Sequence, residues 1–142
     1  MGDVKDYAGE AMAAVRAALM ADPAFWSRFP GGVHDDAPAG IAFPHITFGR
    51  LEVVSDDADR ARGAVVQMGL EIHARPDHPA GGRVAVLSDC AFVASVLHLD
   101  PDALAPIGVT IWEIEVQTYV ASRSADGASY QGTIALQVSM DA

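Results

Sequence analysis

Residues 63–74 read GAVVQMGLEIHA. Val66, Met68, Leu70 and Ile72 recur at every second position, with Gln67, Gly69, Glu71 and His73 between them. A period of two belongs to a strand with one buried face and one open face. The stretch therefore predicts a strand over Gly63–Ala74 in a half-covered sheet. Just upstream, residues 45–54 (HITFGRLEVV) predict a second strand. The run SDDADRAR at 55–62 between them is polar and long for a tight turn, so an extended charged hairpin loop is expected. The arrangement recurs near the C-terminus. Residues 108–121 alternate Trp112, Ile114, Val116, Thr118 and Val120 against Glu113, Glu115, Gln117 and Tyr119. Residues 130–140 place Ile134, Leu136, Val138 and Met140 on one face, after a polar, Gly-containing loop at 122–129.

Two helical stripes flank the first strand pair. Residues 3–21 are alanine-rich, with Met12, Val15 and Leu19 at helical spacing. Asp22-Pro23 ends that helix, because the residue before a proline is pushed out of the α region. Ala24–Phe29 adds a further turn that returns an aromatic side chain to the core, and Pro30-Gly31-Gly32 closes it. Residues 31–43 form a lead-in loop. After the break at Pro76–Pro79, residues 82–98 carry Val86, Cys90, Val93 and Leu97 along one stripe. The expected fold is α+β in the order α-β-β-α-β-β, a four-stranded, mainly antiparallel sheet with helices packed on one face. At 142 residues the chain is expected to form a single domain, 1–142. That length buries about 68–70% of the unfolded surface, enough for a core without staples.

Charge excludes one class of function. Nine Lys and Arg face nineteen Asp and Glu, a formal net charge of −10. Lys5 is the one lysine, and the arginines are scattered rather than clustered. A surface that grips phosphates needs a basic patch, and this sequence has none. The opening MGDVKD is acidic where a signal peptide is basic, and position 6 is Asp where a myristoylation motif needs Ser or Thr. No apolar run approaches the ~18 residues of a membrane span. A soluble protein made in the cytoplasm is expected.

The chemistry-bearing residues assemble into no catalytic or metal motif. Cys90 stands alone within an apolar stripe and reads as a small core hydrophobe. His34, beside Asp35 and Asp36, reads as a solvated turn, since sequence neighbours in a loop need not converge as metal ligands do. His73 and His78 flank a turn, and His98 ends a helix. His45 reads as an edge residue or a hydrogen-bonded filler. Glu113 and Glu115 share a strand face about 7 Å apart, a spacing at which two carboxylates could in principle share acid–base work, but a solvated strand face is the preferred reading. There is no nucleophile elbow and no phosphate loop. No catalytic residue, metal ligand or cofactor is predicted.

One resemblance spans most of the chain. ALMADPAFWSRF (18–29) ends the first helix, APAGIAFPHITFG (37–49) enters the first strand, and EIHARPD (71–77) leads into the second helix. WEIEVQTYVASRSADGASYQGTIALQV (112–138) closes the chain. Together they resemble the tail-completion, or tail-terminator, proteins of long-tailed phages and gene transfer agents. Pro38, Pro44, His45, Ile46, Phe48 and Gly49 fall on that family's proline-led strand opening. The resemblance implies a structural, non-enzymatic protein that forms a hexameric ring on the head-proximal end of the tail tube. Such a ring stops tube polymerisation and joins the tail to the head-completion complex. It implies the tail-tube and head-completion proteins as partners, DNA passing through without sequence-specific binding, and residence in the particle after assembly. Phe43, Pro44 and His45 then become a candidate inter-subunit arm, and the acidic Asp56, Asp57, Asp59, Glu113 and Glu115 are candidates for a lumen or rim. Alternative readings are a neighbouring head–tail joining protein, such as a stopper, or a small ligand-binding α+β domain.

Overall fold

Asp6 starts the first helix by accepting a hydrogen bond from the Gly9 N–H at 2.9 Å, filling one of the donors that a helix N-terminus leaves free. Helix α1 (Tyr7–Ala21) stops at Asp22, ahead of Pro23, and buries Ala11, Ala14, Val15 and Leu19. A one-turn helix, α2 (Phe25–Arg28), turns Phe25 and Phe29 inward with ring centroids 5.3 Å apart, both fully buried. The structure, a computed structural model, describes residues 6–56, 63–75, 82–106, 108–125 and 127–141.

The sheet has five strands, one more than the alternation predicts. They are β1 (Val33–His34), β2 (His45–Asp56), β3 (Gly63–Ala74), β4 (Thr110–Arg123) and β5 (Tyr130–Asp141), in spatial order β1-β2-β3-β5-β4. The additional strand lies inside the stretch expected to be a lead-in loop. Its two residues pair parallel to β2, Val33 with Ile46 and His34 with Thr47. Two residues are too short to show a period, so pattern alone does not reveal them. His34 is accordingly not a solvated turn; its Nε2 lies 2.7 Å from the Gly31 carbonyl. Every other pairing is antiparallel, which makes the sheet mixed. Strand β2 also runs to Asp56, past the expected end at Val54.

Helix α3 (Gly82–Leu97) lies across the strands and buries Val86, Cys90, Val93 and Leu97, the stripe read from the sequence. Gly132 of β5 fixes where it sits: a Cβ there would stand 2.8 Å from both Cys90 Sγ and Val86 Cγ1. Val66, Met68, Leu70 and Ile72 are all buried with the helices in one core, as the opening stretch requires. Arg28 ties α2 to α3 through a 2.9 Å ion pair with Asp89, whose side chain is 1% exposed.

Strand β4 departs from its apparent alternation. Its register with β5 slips between Ile111 and Glu113 and again between Val116 and Thr118. Each slip is a β-bulge, which adds an unpaired residue and reverses the face of everything beyond it. Ile111 and Ile114 are both buried, whereas Trp112 is 54% and Val120 56% exposed. Register with Met140, Val138, Leu136, Ile134 and Gly132 puts Ile111, Ile114, Val116, Tyr119 and Ala121 on the helix side. Trp112, Thr118 and Val120, which alternate with Ile114 and Val116 in the sequence, do not share their side of the sheet. No helix is long and apolar enough to cross a membrane among the described residues.

Candidate functional site

The sheet face opposite the helices is a broad, mostly polar surface. Cross-strand registers carry it from Thr47 and Glu52 on β2, through Val65, Gln67, Gly69, Glu71 and His73 on β3. It continues through Thr133, Ala135, Gln137 and Ser139 on β5 to Glu113, Glu115, Thr118 and Val120 on β4. Three glutamines brace its middle. Gln67 Nε2 donates to Gln137 Oε1 at 2.9 Å, and Gln117 Nε2 donates to the same oxygen at 3.1 Å. Gly69 and Ala135 present little or no side chain, so the face dips there into a shallow depression of about 240 Å³. Arg50, Gln67, Glu71, Gln117 and Thr133 rim it. Arg50 is engaged by Glu52 at 3.1 Å in an exposed pair.

Of the predicted acidic residues, Glu113 and Glu115 share this open face, paired with Ser139 and Gln137. They are joined by Glu52 and Glu71, which the sequence reading did not single out. Asp56 pairs with Gly63 at the end of β2, and Asp57 and Asp59 lie outside the described residues. The carboxylates are spread across strands rather than converging on one point, as a shared proton or a cation would require. Among the described residues no three His, Cys, Asp or Glu side chains gather as a metal site.

One corner of the face is aromatic. The Phe43–Pro44 peptide is cis and leads directly into His45, the first residue of β2. His45 is 5% exposed; its Nδ1–H donates to the Ala42 carbonyl at 3.1 Å, and its ring stacks on His73 at 4.9 Å. Phe43 packs on His45, and the Arg75 guanidinium lies 4.4 Å above the Phe43 ring. His73 Nε2 is 2.8 Å from Thr47 Oγ1. Burial lowers both histidine pKa values, opposed by the Ala42 hydrogen bond at His45 and by Glu71 at His73. Both rings are held neutral and pack as fillers. Cys90 is inert for the same reason: burial, with Asp89 adding, pushes its thiol up to about 12.

The sheet's two lateral edges complete the surface. β1 covers only the Ile46–Thr47 part of the β2 edge. On β4, the Leu99 N–H donates to the Ile114 carbonyl at 2.8 Å and the Val116 N–H donates to His98 Nδ1 at 2.9 Å. His98, just past the end of α3, accepts from a strand edge. No pattern in the sequence marks this contact, because it joins residues brought together only by the α3–β4 connection.

Comparison with known proteins agrees with this architecture. The family model described as "Tail completion protein gp17" matches residues 13–141. Among solved structures, a chain of the virion of a native gene transfer agent particle superposes with a TM-score of 0.82. At 17% identity, covering 98% of this chain and 100% of that one, the likeness is one of fold. No curated protein matches the chain.

Proposed function

The chain belongs to the tail completion protein gp17 family, a structural family of phage-type tails, and from that premise we propose that it is the tail terminator. Six copies form a ring that caps the head-proximal end of the tail tube, ends tube polymerisation and presents a surface to the head-completion proteins. The observation that carries this reading is a sheet with helices on one side, a broad polar face on the other, and two incompletely covered edges. A closed ring of identical subunits needs two different surfaces that meet head to tail, and unlike sheet edges supply them.

The open face then lines the channel. Glu52, Glu71, Glu113 and Glu115 outnumber Arg50 on it, and the whole chain carries −10. A negative wall repels phosphates, so DNA slides past instead of sticking, with a reach of about one Debye length, roughly 8–10 Å. Asp56 ends β2, and the proposal adds it to the rim together with Asp57 and Asp59, the acidic residues that follow it in the sequence. Phe43 and Pro44 remain half-exposed next to buried His45 and offer the arm's contact surface. The role is non-catalytic, requires no cofactor, and places the protein in the finished particle.

The stopper reading shares the family premise and is separated by phenotype. Deleting a terminator yields overlong tubes, seen by negative-stain microscopy. Normal-length tails detached from heads would assign the chain to the stopper position instead. Native mass spectrometry with the tube subunit should give hexamers; a strict monomer that binds a metabolite would overturn the proposal in favour of a ligand-binding domain.

A further inference from the structure

The free parts of the two sheet edges are matched to each other, and we infer that neighbouring subunits join by antiparallel pairing of β4 residues Thr118–Arg123 with β2 residues Leu51–Asp56 of the next copy, Val120 opposite Val54. This rests on the ring reading above and specifies how the ring closes.

Four observations on the chain point to a second copy as the occupant. The first is strand direction. β2, β3, β5 and β4 alternate up and down, so β4 of one copy beside β2 of the next continues the alternation without a break. The second is where each edge is open. Among the described residues, β1 closes β2 only at Ile46 and Thr47, leaving its second half, and the His98–Leu99 cap closes β4 only at Ile114 and Val116, leaving its second half. The two open segments are of similar length.

The third is hydrogen-bond parity. Ile46 donates outward to Gly32, and Ile114 and Val116 bond outward to Leu99 and His98. Carrying the alternation past the bulges on each strand leaves Leu51 and Val53 of β2, and Tyr119, Ala121 and Arg123 of β4, with outward backbone groups. All of these are helix-side residues. Directly opposed residues in an antiparallel pair share a face, so the two edges can bond while all helices stay on one side of a continuous sheet. Had the parities differed, pairing would have forced one copy's helices to the other side.

The fourth is side-chain character. The open face is polar except for a few positions, and Val54 and Val120 are its large exposed valines, at 48% and 56%. The pairing sets them against each other, Ala121 beside Val53, and Ser122 beside Glu52. Long edges with exposed apolar side chains are the feature that unpartnered sheets avoid.

The register also has the right geometry for closure. Within one chain Val120 is level with Glu71 of β3, through Thr133, while Val54 is level with Val65. Joining Val120 to the next copy's Val54 therefore staggers subunits by six residues of β3, about 20 Å at 3.4 Å per residue. Four strands at about 4.8 Å advance roughly 19 Å sideways, so the ring closes if strands tilt by about 45°, the upper end of the range for closed barrels. Six copies give a barrel roughly 50 Å across its backbone. The helices occupy the outside, where the circumference has room for them, and the open face turns to the lumen.

The test is a cysteine pair, Val54→Cys with Val120→Cys, in the Cys90→Ala background, oxidised after assembly with the tube subunit. Non-reducing electrophoresis should show a ladder ending at the covalently closed ring, with neither single variant giving more than traces of dimer. Directly opposed, non-hydrogen-bonded positions lie about 4.5 Å apart at Cα, within disulfide reach. A second variant, Ala121→Pro, removes an N–H that is unpaired in the free subunit, so it should keep its melting temperature yet lose assembly. Rings that form in the cysteine variant without cross-linking would overturn this interface and leave the ring reading standing. Absence of rings in the unmodified protein under every condition would overturn both.

Discussion

His45 and His73 show how a residue type with catalytic associations becomes structural. Stacked 4.9 Å apart, His45 buried and His73 half-buried, each is shifted by burial toward its neutral form. Because their folded pKa values lie below the ordinary 6.5, the unfolded chain takes up protons first as pH falls. Stability is therefore complete above about pH 6.5 and declines below it. Thermal melts from pH 7.5 to 5 should show a falling melting temperature, and His73→Gln should flatten part of that slope. Cys90 makes the complementary case. With its thiol pushed up to about 12 and fully buried, it should resist thiol reagents in the native protein and react at once in denaturant.

At the scale of elements, α3 is seated by a glycine and a charge. Gly132 leaves room for Cys90 and Val86, and Gly132→Ala would drive a methyl group to 2.8 Å from both. Overpacking of this kind costs about 1–3 kcal/mol, measurable by urea titration with an unchanged m-value. Arg28 reaches Asp89 from α2 while its guanidinium lies 5.1 Å from the centre of the Phe92 ring. Arg28→Met leaves the buried carboxylate without its cation and should cost about 3 kcal/mol; Arg28→Met with Asp89→Leu should recover most of it. Asp22-Pro23, the Gly31-Gly32 pair and the two hairpins were legible in the sequence because each is a local signal. The bulges at Trp112 and Gln117 were not, since a bulge is a mismatch in length between two strands and neither strand carries it alone.

Across the whole molecule, acidity and assembly oppose each other. In the proposed ring, copies that each carry −10 repel, and the short-range edge contacts must offset this. Raising ionic strength from about 0.05 M to 0.3 M should therefore favour the oligomer in native mass or light-scattering measurements, as screening shortens the repulsion. Charge reversal of the proposed lining, Glu113→Lys with Glu115→Lys, should leave particles intact by microscopy and reduce DNA delivery several-fold. Unchanged delivery would show that the open face does not line the channel.

The sequence by itself determined the class of fold and the members of most of its core. Val66 to Ile72 and Ile134 to Met140 alternate because a strand of period two must put one face in water, and Val86 to Leu97 follow a helical stripe for the corresponding reason. It also determined the acidity, the lone inert thiol, and the family likeness through the 37–49 stretch. Tertiary structure alone decided the fifth strand, the turning of Trp112 and Val120 out of the core, the histidine stack, and the caps that close one half of each edge. Each of these depends on which residues of distant segments come level with one another. Periodicity reports how a segment faces its surroundings, whereas register reports what those surroundings are, and register is set only when the strands pair.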